Sequence, residues 1–278
     1  MIDLHTHTTS SDGTLSSGEL LHLAIRTGVQ ALAITDHDTF SGYDQAKAQN
    51  PDLELVCGIE LSTKYQDKTV HLLGYFVHGE PTAAFREWIA YLQANRHERN
   101  KKLVAKLQSA GMNITFEEVS QRGGSLPGRP HFAALLVEKG IAASIQEAFD
   151  LYLDEQGSCY VPREEPSFQE AVKQMAAGGG ISSLAHPVRI SRNLQVVQEH
   201  VAEMQALGLR AIEVYHSDHS AEEMSFYLSL AGRYALGITG GSDFHGDNKP
   251  TIALGTGKNR NLNIERSVLE NLQRLPLA

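Results

Sequence analysis

Residues 1–14 read MIDLHTHTTSSDGT. In this stretch a short apolar run is followed directly by several side chains that can bind metal ions. In a strand, residues i and i+2 point to the same face, so His5 and His7 can converge on one point. The loop that follows carries Asp12 and Gly13 and can fold back toward that point. The stretch therefore predicts a first strand that ends at a metal site.

Short apolar runs recur along the chain and indicate seven buried strands. The strands are expected at Met1–Leu4, Ala31–Ile34, Leu53–Val56, Val70–Tyr75, Gly180–Leu184, Ala211–Tyr215 and Leu236–Thr239. Helical patterns fall between most of them, at Ser17–Thr27, Phe168–Ala177, Val196–Leu207 and Glu222–Tyr234. Alternating strands and helices predict an α/β chain with a parallel sheet or barrel.

The segment 81–166 interrupts this alternation, because it contains helical patterns but no convincing buried strand. Helices are expected over Ala84–Ala110, His131–Lys139 and Ile145–Leu153. We therefore predict a metal-binding barrel formed by residues 1–80 and 167–278. Residues 81–166 would be a helical insertion that contributes to the substrate pocket.

Composition limits the class of function. A net charge of −9 over 278 residues argues against coating nucleic acid by charge, although a local basic pocket could hold a small nucleic-acid substrate. Cys57 and Cys159 are too few for a disulfide framework, and no apolar run approaches the roughly 20 residues of a membrane span. Without a recognisable signal sequence, we expect a cytoplasmic protein with no membrane partner and no stable protein partner.

Histidine and carboxylate side chains follow the end of nearly every predicted strand, which is where active sites of such barrels lie. The motifs are HTH and SSDG within 5–13, TDHD at 35–38, GIE at 58–60, AHP at 185–187 and GSDFH at 241–245. His71 fits less well because it stands near a strand start. A lone histidine at a strand end is more often structural, but the recurrence favours a metal site. The candidate ligands are His5, His7, Asp12, His37, Glu60, His71, His186, Asp243 and His245.

This set exceeds the three or four protein ligands of a single catalytic metal, so it suits two or three divalent ions with a bridging carboxylate. Nitrogen and oxygen ligands without thiolate favour Mn²⁺, Zn²⁺ or Fe²⁺ over Mg²⁺ or Ca²⁺. Of these three metals we expect Mn²⁺. Three such ions carry more positive charge than three carboxylates cancel, which favours an anionic substrate such as a phosphate ester. Clustered metals can generate hydroxide at neutral pH and clamp the attacking and leaving oxygens.

Together, DLHTHTTSSDG, AITDHDT, GIE, His71, AHP and GSDFH resemble the PHP (polymerase and histidinol phosphatase) family of metal-dependent phosphoesterases. The resemblance implies a distorted (βα)7 barrel with a helical insertion and a trinuclear metal site. By motif, one ion would take His5, His7, Glu60 and Asp243, a second Glu60, His71 and His186, and a third Asp12, His37 and His245.

The predicted insertion also carries basic residues, in ANRHERNKK and GGSLPGRPHFAALL. Arg96 and Arg99 lie three apart and share a helix face, although for Arg96 an ordinary solvated face is an equal alternative. Arg129 and His131 flank Pro130 at an expected helix start, which is a favourable place for an anion. Arginine forks onto phosphate, so we predict substrate contacts for Arg99, Arg129 and His131.

This segment resembles the PHP branch of 3',5'-nucleotide bisphosphate phosphatases and 5'-to-3' exoribonucleases. The resemblance implies a phosphatase that converts a nucleotide with two separated phosphates, such as adenosine 3',5'-bisphosphate, to AMP and phosphate by a metal-bound hydroxide. Alternatives are an exoribonuclease on short RNA 5' ends, a histidinol-phosphatase-like enzyme for a small metabolite, and a metal-stabilised binding module. His216 or His219 could protonate the leaving oxygen, but neither is assigned.

Overall fold

The computed structural model describes residues 1–49, 52–123 and 127–276, which form a mixed α/β fold. One curled sheet contains six strands that are hydrogen-bonded in chain order. They are β1 (Ala31–Ile34), β2 (Glu54–Tyr65), β3 (Lys68–Phe76), β4 (Ile181–Leu184), β5 (Ala211–His216) and β6 (Gly237–Gly241). Two short strands, β7 (Ile252–Ala253) and β8 (Gly257–Lys258), form a separate ribbon.

Strand β3 runs against both of its neighbours, so the expectation of a parallel sheet is wrong at this strand. Strands β2 and β3 form a hairpin closed by Gln66 and Asp67, which both have positive φ angles of 45° and 62°. Such conformations suit a two-residue hairpin turn. Because β3 is reversed, its start lies at the edge where the parallel strands end. His71 therefore reaches the same edge as the other candidate ligands.

The first predicted strand, Met1–Leu4, forms only isolated bridges and is not a regular strand. Its backbone nevertheless bonds to both edges of the sheet. The Asp3 amide donates to the Ala31 carbonyl at 2.9 Å, and the Leu4 amide donates to the Gly240 carbonyl at 3.2 Å. The expected seven strands are therefore six strands and one extended segment that bridges the sheet edges.

Helices cover the sheet and fill the segment between β3 and β4. They are α1 (Ser17–Thr27), α2 (Ser41–Lys47), α3 (Ala83–Ser109), α4 (Phe116–Gly123), α5 (Arg129–Glu138), α6 (Ile145–Ala148), α7 (Phe168–Ala177), α8 (Leu194–Ala206), α9 (Ala221–Arg233) and α10 (Arg266–Gln273). Helix α6 continues into a π-helical turn over Phe149–Leu153. Within the described residues, no helix is long and apolar enough to cross a membrane.

The bounds of α1 and α7 agree with the predicted ones, while those of α3, α8 and α9 differ by one or two residues. Helix α1 is well defined in the sequence because both of its ends are capped. Ser16 and Glu19 form a reciprocal capping box, and Gly28 ends the helix with a φ of 76°. Helices α2, α4 and α10 were not predicted.

Helix α3 connects two hydrophobic clusters. Its first half buries Phe85 and Ile89 in the core beneath the sheet. Its last turns bury Leu103 and Leu107 in a second cluster, formed by helices between β3 and α7. The same face carries buried polar residues between these two apolar patches, and they face the pocket described below. The division into a barrel and an insertion over 81–166 stays a prediction.

Candidate active site

Glu60, in the middle of β2, lies at the centre of the histidine cluster and is 1% exposed. Burial alone would raise its pKa, but the surrounding histidines hold that pKa well below its ordinary value. The carboxylate is therefore ionised and can bridge cations through both oxygens. Oε2 lies 3.3 Å from His5 Nε2, 3.2 Å from His7 Nε2 and 3.3 Å from His37 Nδ1, and Oε1 lies 3.0 Å from His71 Nδ1 and 2.9 Å from His186 Nε2.

Two further carboxylates flank Glu60. Asp243 Oδ1 lies 3.5 Å from His5 Nε2 and 3.4 Å from His7 Nε2. Asp12 Oδ1 lies 3.3 Å from His245 Nε2 and 3.4 Å from His7 Nδ1, and its Oδ2 lies 3.6 Å from His37 Nε2. The structure thus brings all nine predicted ligands together. We refer to these nine residues as the histidine–carboxylate cluster.

The donor set fits divalent metal ions. His5 Nε2, His7 Nε2 and His37 Nδ1 are buried and have no hydrogen-bond partner among the described residues. Buried polar atoms are normally paired, and imidazole nitrogens facing carboxylates are suited to share a cation. Four sets of close ligand atoms fall within the cluster or at its margin, and one of them is His37, Glu60 and His71. The cluster therefore has a donor set suited to divalent metal ions.

A cavity of about 250 Å³ opens beside this cluster. The cavity is lined by the predicted ligands Asp12, His37 and His71. The same cavity is lined by four guanidinium groups, which we call the arginine wall. It consists of Arg96, Arg99, Arg129 and Arg163, with His131 beside it.

Arg96 is only 8% exposed, so the alternative of a solvated basic face is wrong. Its Nη1 donates to Asp38 Oδ2 at 2.9 Å, and Arg163 Nη2 donates to the same oxygen at 2.5 Å. Burial would raise the pKa of Asp38, but Arg163 and Arg96 hold it at about 2. Arg163 also lies 3.5 Å from Glu165. Asp38 therefore fixes two arginines in the wall.

Arg99 is 7% exposed and differs from the other arginines, because its side chain makes no hydrogen bond or ion pair within the described residues. Burial, together with Arg163, Arg96 and Arg129, lowers its pKa to about 9, which still leaves it charged at neutral pH. Arg129 is more exposed and lies 3.6 Å from Asp154. The arginine wall thus has an uncompensated cation that faces the cavity.

His131 lies in the first turn of α5. Its Nδ1 accepts a hydrogen bond from the Gly128 amide at 2.9 Å. A neutral ring that accepts at Nδ1 carries its proton on Nε2, so His131 offers a donor as well as lining the cavity. Burial lowers its pKa, and Arg96 adds to that effect.

Comparison with known proteins identifies the chain. The PHP domain model matches residues 3–157. The chain belongs to the PHP family. It is 32% identical to a 5'-3' exoribonuclease of Haemophilus influenzae, over 87% of this chain and 89% of that protein. It is 30% identical to a 3',5'-nucleoside bisphosphate phosphatase of Chromobacterium violaceum, over 88% of this chain and 87% of that protein.

A solved structure from Bifidobacterium adolescentis, whose own assignment as a metal-dependent phosphoesterase is inferred, matches this PHP chain with a TM-score of 0.81. The two chains are 30% identical, and the match covers 99% of this chain and 96% of that one. The motif-based prediction of a phosphoric ester hydrolase of the PHP family is confirmed.

One histidine that was not assigned from the sequence lies beside the histidine–carboxylate cluster. His216 ends β5, is fully buried and places Nε2 3.3 Å from Asp243 Oδ2. Its Nδ1 accepts a hydrogen bond from the Asp218 amide at 3.1 Å. The neutral ring therefore donates from Nε2 to Asp243 and acts as its partner. His219 instead pairs its Nδ1 with the Val214 carbonyl at 2.8 Å, behind His216.

The backbone around the cluster is strained at three residues that are not glycine. Asp38, His186 and Asp243 have φ angles of 55°, 27° and 58°. Residues with a side chain rarely adopt positive φ angles, and those that do cluster at functional sites, where the surrounding structure stabilises the conformation.

The loop that contains Asp12 is held in place by Asp36. Its Oδ1 accepts a hydrogen bond from Thr8 N at 2.7 Å, and its Oδ2 accepts one from Thr8 Oγ1 at 2.7 Å.

Proposed function

We propose that this PHP protein hydrolyses one phosphate from a nucleotide that carries two separated phosphates, such as adenosine 3',5'-bisphosphate, giving AMP and phosphate. The observation that carries the proposal is the single cavity shared by the histidine–carboxylate cluster and the arginine wall. A substrate with one phosphate would use only the cluster. Arg99 is a buried cation without a compensating carboxylate, so a second anion bound beside it would be stabilised.

We propose that the cluster holds two or three divalent ions, with Mn²⁺ as the preferred metal. The first would be held by His5, His7, Glu60 and Asp243, the second by Glu60, His71 and His186, and the third by Asp12, His37 and His245. Ions bound there supply Lewis-acid stabilisation of the phosphoryl group and lower the pKa of bound water. Glu60 would contribute to more than one of these ion sites, because its two oxygens face different histidines.

The arginine wall would hold the phosphate that is not cleaved. Arg99 and Arg129 would bind its oxygens, and His131 would donate from Nε2, since a neutral imidazole adds a directional hydrogen bond without further charge. Arg96 and Arg163 are engaged with Asp38 and would add positive potential. The distance between wall and cluster would then select substrates by the separation of their two phosphates. In this way residues 81–166 would contribute to the substrate pocket.

The same arrangement could accept the 5' phosphate of a short RNA in the arginine wall and present the next phosphodiester to the cluster. The 32% identity to a 5'-3' exoribonuclease favours this second candidate. Both candidates require a phosphate in the arginine wall. They differ in whether the cleaved group is a monoester or a diester.

A substrate panel tests the proposal. Mn²⁺-loaded protein would be given adenosine 3',5'-bisphosphate, adenosine 5'-monophosphate, adenosine 3'-monophosphate and matched short RNAs with a 5' phosphate or a 5' hydroxyl. We expect kcat/KM to be highest for the bisphosphate, with AMP and phosphate as products. Preference for the 5'-phosphorylated RNA over its 5'-hydroxyl control would select the exoribonuclease. Equal hydrolysis of all substrates would contradict a second phosphate site.

A further inference from the structure

Glu213 is a buried carboxylate in β5 that lies behind the histidine–carboxylate cluster and is not one of its predicted ligands. It contacts two of those ligands at once. His5 Nδ1 donates to Glu213 Oε1 at 2.8 Å, and the His186 backbone amide donates to Glu213 Oε2 at 2.7 Å. No sequence motif indicates this role, because Glu213 lies inside an apolar strand.

The contact with His5 determines which ring nitrogen is free. An ionised carboxylate only accepts hydrogen bonds, so His5 must carry its proton on Nδ1. The Nε2 lone pair then points toward Glu60 and Asp243, and Nε2 has no hydrogen-bond partner among the described residues. The ring is thereby held in the tautomer that can bind a cation.

The contact with His186 acts on the backbone. His186 has φ 27° and ψ 66°, a conformation that costs free energy for a residue with a side chain. The hydrogen bond from its amide to Glu213 stabilises this conformation, which places His186 Nε2 2.9 Å from Glu60 Oε1. His5 faces the other oxygen of Glu60. One carboxylate therefore orients ligands on both sides of the bridging group.

We propose that Glu213 is a positioning residue for the metal centre. It fixes the tautomer of His5 and the backbone of His186 and so raises the affinity for metal ions that the histidine–carboxylate cluster would hold. This inference rests on the proposed metal site. Carboxylates behind ligating histidines typically change metal affinity about 10- to 100-fold when they are replaced.

The test is the Zn²⁺ affinity of the full-length protein, measured by competition with a chromogenic chelator, for wild type and Glu213→Gln. The amide retains the size of the side chain, but it has one accepting oxygen and cannot accept from both donors. We expect about 10- to 100-fold weaker Zn²⁺ binding. The His5 Nδ1 proton resonance of the Zn²⁺-loaded protein should also move upfield, because its charged acceptor is lost.

Tyr75→Phe is the matched control. Tyr75 is fully buried and donates to the Leu4 carbonyl at 2.9 Å, so its loss removes a buried hydrogen bond beside His5 without touching a ligand ring. It should lower the melting temperature but leave Zn²⁺ affinity unchanged. If Glu213→Gln does not fold, Glu213→Asp keeps the charge with a shorter reach and should also bind Zn²⁺ more weakly.

Wild-type affinity in a folded Glu213 variant would overturn this inference alone. Absence of Zn²⁺ binding by the wild-type protein would overturn it together with the proposed metal centre. A Zn²⁺ affinity that falls equally in Tyr75→Phe would also overturn it, because the effect would then follow from general loss of stability.

Discussion

The histidine–carboxylate cluster and the arginine wall face one cavity, but they are assembled differently. The cluster comes from strands and loops at one edge of the sheet, and its histidines share three carboxylates at short range. The wall comes from α3, the start of α5 and the extended segment that contains Arg163, and Asp38 compensates two of its four cations. The difference supports our proposal that the histidine–carboxylate cluster holds cations and the arginine wall holds an anion.

Asp243→Ala should have the largest effect, because Asp243 faces His5, His7 and His216 at the centre of the cluster. We expect kcat to fall about 1000-fold or more, equivalent to about 4 kcal/mol, for bisphosphate and monophosphate substrates alike. His37→Ala should behave in the same way. Phosphate release with each substrate checks this. A loss of activity confined to the bisphosphate would contradict a catalytic role for the histidine–carboxylate cluster that is separate from phosphate binding by the arginine wall.

Asp38→Asn should have the next largest effect, and it should lower the free energy of unfolding. The substitution leaves Arg96 and Arg163 buried without their shared carboxylate, and breaking such a pair typically costs about 3–5 kcal/mol. The free energy of unfolding in urea measures it. Asp154→Asn is the control, because this half-exposed partner of Arg129 should contribute about 1 kcal/mol or less. A similar loss of stability in both variants would contradict the role of Asp38 as the buried carboxylate that holds Arg96 and Arg163.

His131→Leu should reduce kcat/KM for the bisphosphate by about 10-fold, since the Nε2 donor and its hydrogen bond to a charged phosphate are lost. The deficit should have the same size at pH 8 and pH 7.5, because burial lowers the pKa of His131 below its ordinary value of 6.5 and the ring is neutral at both pH values. Kinetics at both pH values check the prediction. A deficit that grows on acidification would mean that His131 binds phosphate as a cation.

Arg129→Ala should have the smallest effect, because Arg129 is more exposed than Arg99 and is partly engaged by Asp154. We expect kcat/KM for the bisphosphate to fall up to about fivefold, equivalent to about 1 kcal/mol, with little change for the monophosphate. Arg122→Ala provides the control, because Arg122 pairs with Glu138 and does not line the cavity. Equal losses on both substrates would argue against a second phosphate site.

The cluster was the part of the site that the sequence predicts best. Eight of the nine predicted ligands lie in short motifs near predicted strand ends, and the side chains of such motifs meet wherever the strands share an edge. His71 joins the cluster only because β3 runs antiparallel to its neighbours. The sequence signal for this reversal is the two-residue turn at Gln66 and Asp67. The turn was not predicted, because the preceding strand was expected to end at Val56. His216 and Glu213 depend on partners distant in the chain, so no local pattern identifies them.

The arginine wall was predicted only in part. Arg163 lies in an extended segment without periodicity, so nothing local connects it to Asp38. Helix α3 did contain a usable signal. Its apolar face runs through Phe85 and Ile89, is interrupted by Arg96 and Arg99, and resumes at Leu103. Charged residues that continue an apolar face are buried with it, and buried charges need partners or a ligand.

We propose that one pocket binds two phosphates. Substitution of Arg99 is the most direct test, because Arg99 is the uncompensated cation of the arginine wall. The measurement is kcat/KM for adenosine 3',5'-bisphosphate and for adenosine 5'-monophosphate, in wild type and in Arg99→Met. We predict that the bisphosphate value falls about 10- to 100-fold, as expected for loss of a charged hydrogen bond, while the monophosphate value stays within about threefold. An equal fall for both substrates, or no fall for either, would contradict the account.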